Sequence, residues 1–355
     1  MTETLDEILR KALEYKGSDV FVGPGSRVMT KCSGKMVPIS EERALPNDIA
    51  VLVERAYELA GRTRETLHKE GDDDFSFAVR DLSRFRCNTY RQRGSLAMTC
   101  RVVAFGIPNP DDCHIPDVVM RLAGLHSGMI LVTGPAGSGK STTLACLVDR
   151  INQTRNGHII TIEDPIEYLH PHKQCLVSQR EVPGDASTFA RALRAALRQA
   201  PDVIMLGEMR DIETISTAIT AAETGHLLLS SLHTLGAAKT IDRVIDAFPA
   251  NQQNQVRAQL SMVLRAVVSQ RLILTNDGKL HPVFEVMCVN PAIQKLIREG
   301  KTHQIDNAIF GGGADMLSMD TELARLLRDG KIEKEQAALL AIHPETVERQ
   351  ARFMR

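Results

Sequence analysis

The sequence of 355 residues contains no tryptophan, only four tyrosines and no marked excess of charge of either sign. Its 43 basic and 44 acidic side chains leave a formal net charge of −1. Proteins that move along nucleic acid usually have a basic channel with aromatic side chains on which bases stack. The composition therefore argues against a nucleic-acid translocase, although a local basic patch is compatible with it.

Long apolar runs are also missing. The longest, GMILVTG and DVIMLG, are far shorter than the ~20 residues that a helix needs to cross a bilayer. The first seventeen residues alternate charges with leucines and lack the apolar core of a signal peptide. We therefore expect a cytoplasmic protein without a transmembrane segment.

The seven cysteines are scattered and form no C-x-x-C pair. In this arrangement they are expected to be reduced thiols that pack as small hydrophobic side chains. The sequence predicts no zinc site.

The pattern along the chain predicts two domains. Helices are expected from Leu5 to about Lys16 and from about Pro46 to Gly61, among short strands, which gives a small α+β domain over residues 1–104. Three prolines in FGIPNPDDCHIPD predict a linker over 105–116. Over 117–355, short apolar strands alternate with helices, which predicts a mostly parallel sheet with helices on both faces. From about residue 251 the pattern predicts helices, apart from one strand in VFEVMCV.

The segment GPAGSGKS, residues 134–141, fits the phosphate-loop pattern G-x-x-x-x-G-K-[ST]. It follows the apolar strand MILVT and precedes a helical segment, as this motif requires. Lys140 would reach the β- and γ-phosphates of a nucleotide, and the Ser141 hydroxyl would ligate Mg²⁺. The predicted nucleotide contacts are Gly134, Pro135, Ala136, Gly137, Ser138, Gly139, Lys140, Ser141 and Thr142.

Hydrolysis also needs carboxylates, and two predicted strands end in them. HIITIED ends in Glu163 and Asp164, and DVIMLGE ends in Glu208. Acids at the carboxyl ends of buried strands behind a phosphate loop are typical of a catalytic site.

Several arginines are candidates for closing such a site. The segment STFARALRAALRQA predicts a helix with Arg191, Arg194 and Arg198 on one face, and Arg210 closely follows Glu208. Arg84 and Arg86 alternate along one strand and therefore project to the same side. These arginines could be a solvated surface or arginine fingers that reach a neighbouring subunit's γ-phosphate.

Two histidines, His226 and His233, flank the apolar run LLLSSL. Seven residues of extended chain span about 23 Å, so the two side chains cannot ligate one metal ion. His233 is expected at the carboxyl end of a strand beside the phosphate loop, where it could contact the γ-phosphate. For His226, at the other end of the strand, a structural role and a functional role remain open.

Together these segments make the sequence similar to the secretion-type ATPases, in particular to the PilT group of type IV pilus retraction motors. The resemblance spans nearly the whole chain. Its most specific blocks are TIEDPIEYLH, SQREV, ALRAALRQAPDVIMLGEMRDIETISTAITAAETGH and SLHTLGAAKTIDRVIDAFP. The resemblance implies an α/β fold in which a small PAS-like N-terminal domain precedes a RecA-like P-loop ATPase domain.

The resemblance also implies functions for these residues and partners for the chain. Glu163 would be the base for the attacking water, Glu208 would support Mg²⁺ partly through water, and His233 would belong to the family's His box. The arginines that close the site across subunits would be Arg84, Arg86, Arg101, Arg194 and Arg210. The cofactors would be ATP and Mg²⁺. The protein would form a homohexamer at the cytoplasmic face of the inner membrane and act with other pilus ATPases on a membrane platform protein, to power pilin depolymerisation and twitching motility.

The sequence departs from the retraction motors at one element. It reads AIQKLI where they typically read AIRNLI, so that Gln294 replaces an arginine which, in the family, affects retraction more than hydrolysis. The block LRQAPDVIMLGE is closer to the related PilU branch, an accessory retraction ATPase, which stays an alternative. A RecA-like nucleic-acid translocase and a non-hydrolysing scaffold are weaker alternatives.

Overall fold

The computed structural model describes residues 3–103 and 106–353. The chain divides into two compact units. The first contains the described residues up to Gly106 together with Pro165–Leu169, and the second contains Ile107–Asp164 and the residues from His170 onward. The predicted domain boundary, at Ala104 and Phe105, lies outside the described residues.

The first unit is built on a six-stranded antiparallel sheet in the order β3-β2-β1-β6-β5-β4. Alternate residues of β4, β5 and β6 are buried with the apolar stripes of α1 and α2 in one core. Its strands are β1 (Asp19–Val22), β2 (Arg27–Cys32), β3 (Lys35–Arg43), β4 (Asp72–Val79), β5 (Ser83–Gln92) and β6 (Ser95–Val102), and its helices are α1 (Leu5–Glu14), α2 (Pro46–Ala60) and α3 (Glu65–Glu70).

Local signals explain the ends of these elements. Helix α1 begins after Thr4, whose hydroxyl accepts the Glu7 amide while the Glu7 carboxylate accepts the Thr4 amide. This reciprocal capping box satisfies amides that the helix itself leaves unpaired. Strands β2 and β3 are joined by Ser33 and Gly34, both with positive φ, as a two-residue hairpin turn requires.

The second unit is built on a seven-stranded sheet in the order β13-β12-β7-β11-β10-β8-β9. Six strands are parallel and β13 is antiparallel at one edge. Its strands are β7 (Gly128–Thr133), β8 (His158–Glu163), β9 (Leu176–Glu181), β10 (Val203–Leu206), β11 (Leu227–Leu232), β12 (Leu264–Leu274) and β13 (Leu280–Cys288). Apolar clusters on both faces of the sheet bury its central strands completely, so the predicted parallel sheet covered by helices is confirmed.

Eleven α-helices accompany this sheet in the described part of the second unit. They are α4 (Asp117–Arg121), α5 (Lys140–Thr154), α6 (Phe189–Ala196), α7 (Ile212–Glu223), α8 (Ala237–Asp246), α9 (Ala250–Val263), α10 (Pro291–Arg298), α11 (Ile305–Phe310), α12 (Met319–Arg328), α13 (Lys334–Leu340) and α14 (Pro344–Phe353). Within the described ranges, none of the helices is both long and apolar enough to span a bilayer.

The prediction of helix throughout the region after residue 251 is wrong at β12. Leu264–Leu274 forms a long strand between β7 and β13. Residues 266–270 are all buried, so the segment lacks the in-and-out alternation that identifies a half-exposed strand. An apolar run buried on both faces cannot be distinguished from a buried helix by periodicity.

Helix α6 is shorter than predicted. It ends at Ala196, so Arg198 lies beyond it and does not extend the helical face that carries Arg191 and Arg194. Pro201 disfavours helical backbone at the preceding residue, and Ala200 has a positive φ of 49°. The chain turns here to enter β10.

Candidate nucleotide-binding and catalytic site

The predicted phosphate loop joins the end of β7 to the start of α5. Gly134 opens the loop with φ 146°, and a Cβ there would lie 2.1 Å from the carbonyl oxygen of Gln270 and 2.7 Å from the Oγ of Ser138. Only glycine fits this position. The predicted contacts Pro135, Ala136 and Gly137 are exposed along the loop.

Two buried polar groups lie inside the loop. Lys140, with 8% of its surface exposed, donates from Nζ to the carbonyl oxygens of Gly134 and Pro135, each at 2.9 Å. The Oγ of Ser138 is buried and has no hydrogen-bond partner among the described residues. A buried hydroxyl is costly unless something bonds to it.

These groups fit the phosphates of a nucleotide. Gly139 caps the 15-residue helix α5, and Lys140, Ser141 and Thr142 form its first turn, where the N-terminal amides and the helix dipole favour an anion. A phosphate chain would supply acceptors for these amides, for the Ser138 hydroxyl and for the Lys140 ammonium group. The Ser141 and Thr142 side chains are half-buried in this first turn.

Glu163 is the last residue of β8 and is 7% exposed. Its Oε1 accepts a hydrogen bond from the Thr161 hydroxyl at 2.6 Å and one from the Gln179 Nε2 at 3.1 Å. Gln179 lies on β9 beside Thr161 in the parallel register. The two donors fix the orientation of this carboxylate. Sequence reasoning missed Gln179, because only the pairing of β8 with β9 brings it to Glu163.

Glu208 follows β10 by two residues and lies between the basic side chains of Arg210 and His233. Its Oε1 is 2.5 Å from the Nη2 of Arg210, and its Oε2 is 3.6 Å from the Nε2 of His233. The hydrogen bond to Glu208 and the charge of that carboxylate raise the pKa of Arg210. The His233 distance is too long for a hydrogen bond. It is an ionic contact when the imidazole is protonated.

The sheet order places these groups in a row. Strands β7, β11, β10 and β8 lie side by side and parallel, so their carboxyl ends share one edge of the sheet. Gly134, His233, Glu208 and Glu163 follow or end these four strands in that order. The structure therefore brings together the phosphate loop, the two predicted catalytic acids and the predicted histidine.

The predicted arginines fall into two groups. In the second unit, Arg210 forms an ion pair with Glu208, and Arg194 on α6 forms an ion pair with Glu213 on α7. The other three are Arg84, Arg86 and Arg101, and they belong to the first unit.

The first-unit arginines share one face of that unit's sheet. Arg86 pairs directly opposite Arg101 across β5 and β6, and Arg84 projects to the same side as Arg86. The Nε of Arg101 donates to the Asp19 carboxylate at 2.8 Å. Three arginines therefore lie close together on this sheet face, and one of them is paired with Asp19.

His226 closes the junction between α7 and β11. Its Nδ1 lies 3.0 Å from the Ala221 carbonyl oxygen and 3.1 Å from the Thr224 hydroxyl. These local contacts at the end of a helix favour the structural role. Strand β11 separates His226 from His233.

Comparisons with known proteins identify the family of this chain. The family model of the type II/IV secretion system proteins matches residues 116–336. The chain is 41% identical over 343 residues to the type IV pilus retraction ATPase PilT of Pseudomonas aeruginosa, covering 96% of this chain and 99% of that protein. It is 36% identical to the type IV pilus ATPase PilU of the same organism, covering 94% and 87%.

A solved structure of a PilT protein matches nearly the whole chain. The fold is similar to the crystal structure of the pilus retraction motor PilT with bound ADP, with a TM-score of 0.89 and 43% identity over 98% of this chain and 99% of that one. The predicted RecA-like α/β fold and the prediction of a nucleotide-using ATP hydrolase are thereby confirmed. The chain belongs to the type II/IV secretion ATPases and, within them, to the PilT-type retraction ATPases of type IV pili.

Proposed function

We propose that this chain retracts a type IV pilus as a homohexameric ring in which ATP is hydrolysed at the carboxyl edge of the parallel sheet. One observation carries the proposal: the phosphate loop, His233, Glu208 and Glu163 lie at the carboxyl ends of four adjacent parallel strands. This arrangement puts a phosphate-binding loop, a candidate base and a candidate cation ligand along one edge.

The chemistry assigned to the loop and to Glu163 is hydrolysis of the γ-phosphate. Lys140 exchanges the carbonyl oxygens of Gly134 and Pro135 for phosphate oxygens when ATP binds. The Glu163 carboxylate accepts a proton from water while the water oxygen bonds to the γ-phosphorus. The bond between that phosphorus and the bridging oxygen to the β-phosphate breaks, which yields ADP and phosphate. Thr161 and Gln179 hold the base in place.

Ser141 and Glu208 are the residues that would hold Mg²⁺. A hydroxyl and a carboxylate are oxygen ligands of the kind that this ion prefers, and the ion would neutralise charge on the triphosphate. Because Glu208 already shares its charge with Arg210, it suits contact through water better than direct ligation. His233 lies close to the other oxygen of Glu208. It would contact the γ-phosphate and lose that contact when the phosphate leaves.

The arginines of the first unit are proposed to act on the neighbouring subunit's nucleotide. Arg84, Arg86 and Arg101 share one sheet face, where their charges could stabilise phosphate charge. Arg194 and Arg210 would act within the subunit's own second unit. In this proposal nucleotide binding closes an interface between subunits and product release reopens it.

We further propose that the ring lies peripherally at the inner face of the cytoplasmic membrane, where it drives a platform protein of the pilus machinery. The likeness to PilT exceeds that to PilU, 41% against 36%, at similar coverage of this chain. This favours a principal retraction motor over an accessory one. Deletion of the gene should then abolish retraction, measured by optical trapping of pili, whereas weakened retraction would indicate the PilU-like role.

The test of the site is ATP turnover by the purified protein and matched carboxylate variants. Glu163→Gln and Glu208→Gln should each lower turnover by roughly 100-fold or more, because they remove the base and the cation ligand. Glu223→Gln is the control, since this exposed carboxylate lies at the end of α7 near the opposite edge of the sheet. Wild-type turnover no faster than that of the Glu163 variant would contradict the proposal.

A further inference from the structure

Gln270 lies on β12 directly beside the phosphate loop. In the parallel pairing of β12 with β7, Ser269 is opposite Thr133, so the next residue of β12 lies next to Gly134. Gln270 is 4% exposed. A polar side chain buried this deeply normally has a specific partner or function.

The contacts of Gln270 reach both ends of the loop and the helix that follows it. Its Oε1 accepts a hydrogen bond from the Thr143 hydroxyl of α5 at 2.7 Å. Its main-chain oxygen lies so close to Gly134 that a Cβ there would be 2.1 Å away. Its Nε2 would be 2.8 Å from a Cβ at Gly139, the last residue of the loop, which has a φ of 89°.

The amide nitrogen of this side chain adds an electrostatic element. The Nε2 of Gln270 lies against the part of the loop that leads into α5. An amide donor at this position favours negative charge on the loop's ligand.

We propose that Gln270 is a positioning residue for nucleotide binding: it holds the phosphate loop and the first turn of α5 in the conformation that receives phosphates. The proposal rests on the function assigned above to the loop and Lys140. A loop rich in glycine loses much conformational entropy when it is ordered. A buried contact that orders it beforehand lowers the free-energy cost of binding.

A neighbouring residue provides a matched control. Ser269 is also buried, at 1% exposure, and its Oγ accepts a hydrogen bond from the Gly236 amide at 3.0 Å. Ser269 therefore supports the start of α8 rather than the phosphate loop. Ser269→Ala removes a hydrogen bond of the same strand without disturbing the contacts of Gln270.

The experiment measures the dissociation constant for ADP by calorimetry and the KM and kcat for ATP on the full chain. Gln270→Met, which removes both polar atoms, and Gln270→Glu, which places a carboxylate oxygen against the loop, should each raise the ADP dissociation constant roughly tenfold. Thr143→Val should raise it about fivefold, and Thr143→Ser should restore it. KM should rise with these changes while kcat stays within about threefold, because the catalytic acids remain in place.

The pattern of effects distinguishes positioning from general stability. Combining Thr143→Val with Gln270→Met should add little to the effect of Gln270→Met alone, since both break one hydrogen bond. Ser269→Ala should lower the thermal midpoint and leave ADP affinity unchanged. The proposal is overturned if Gln270→Met and Thr143→Val bind ADP as tightly as the wild type, or if Ser269→Ala weakens binding equally.

Failure of the proposed function is separately visible. A wild-type chain that binds ADP without hydrolysing ATP would contradict the motor, while the ADP series would still decide the contribution of Gln270. If the Gln270 variants do not fold, the ADP affinities of Thr143→Val and Thr143→Ser test the proposal, because Thr143 is the other partner of the hydrogen bond.

Discussion

At the scale of single residues, Glu285 on β13 is a carboxyl group whose ionisation is costly. It is 3% exposed, and its Oε1 accepts the Ala237 amide at 2.8 Å. Burial raises the pKa of Glu285 to about 7, against the opposing effects of that hydrogen bond and of Arg271, while Asp306 and Asp320 raise it further. The folded protein therefore holds a proton on Glu285 that the unfolded chain releases at lower pH.

This proton makes stability depend on pH in a defined direction. In the unfolded chain the carboxyl group has its ordinary pKa of 4.5. The stabilising contribution of Glu285 to the free energy of unfolding is therefore fully present below pH 4.5 and is lost as pH rises through about 7. At pH 8 the ionised group costs up to about 3 kcal/mol. Glu285→Gln keeps the acceptor for Ala237 and removes the charge. Calorimetry should show a higher unfolding midpoint for this variant at pH 8 and a similar one at pH 5.

The control for this prediction is Glu223→Gln, an exposed carboxylate on α7 whose loss should leave the pH profile unchanged. Parallel profiles for the wild type and Glu285→Gln between pH 5 and 8 would contradict the assignment.

The same scale shows which site residues the sequence could predict. The phosphate loop is contiguous, Glu163 ends an apolar strand, and Glu208 and His233 each follow one, so alternation of strands and helices was enough to place them at one edge. Gln179 and Gln270 reach this edge from other strands. Their positions depend on the order of strands in the sheet, which no local pattern encodes.

At the scale of elements, the starts of capped helices follow from local sequence, whereas the end of α6 and the longest strand did not. The starts of α1 and α7 follow from the capping side chains of Thr4 and Asp211, which act within four residues. Strand β12 owes its conformation to neighbours on both sides, which lie far from it in sequence. This explains why a residue as central as Gln270 was predicted to lie in a helix.

The cap of α7 provides a prediction at this scale. The Asp211 Oδ1 accepts the Thr214 amide at 2.8 Å, and its Oδ2 accepts the Thr214 hydroxyl at 2.8 Å. Asp211→Ala should cost about 1 kcal/mol, which lowers the unfolding midpoint of a unit of this size by about 2–4 °C. Asp211→Asn keeps an oxygen acceptor and should cost less. Scanning calorimetry measures both, and equal losses would mean that charge at the helix start matters more than the hydrogen bond.

At the scale of the whole molecule, the predicted site residues lie on two units. The phosphate loop and the acids belong to the second unit, and Arg84, Arg86 and Arg101 belong to the first. If these arginines act on a neighbour's nucleotide, the site is a property of the ring and not of one chain. In a head-to-tail ring every subunit presents the loop to one neighbour and the arginines to the other.

Mixing two inactive variants tests this arrangement. Lys140→Ala removes the ammonium group proposed to bind phosphates, and Arg86→Ala removes an exposed cation of the first unit. In rings mixed at equal amounts, about one quarter of the interfaces would join an intact loop to an intact Arg86, so turnover should return to about a quarter of the wild-type value. If Arg86 acts within its own chain, every chain in the mixture lacks one necessary group and turnover stays at background. An Arg86→Ala protein as active as the wild type would show that Arg86 is dispensable, since a cation that stabilises the transferring phosphate accounts for a large part of the rate.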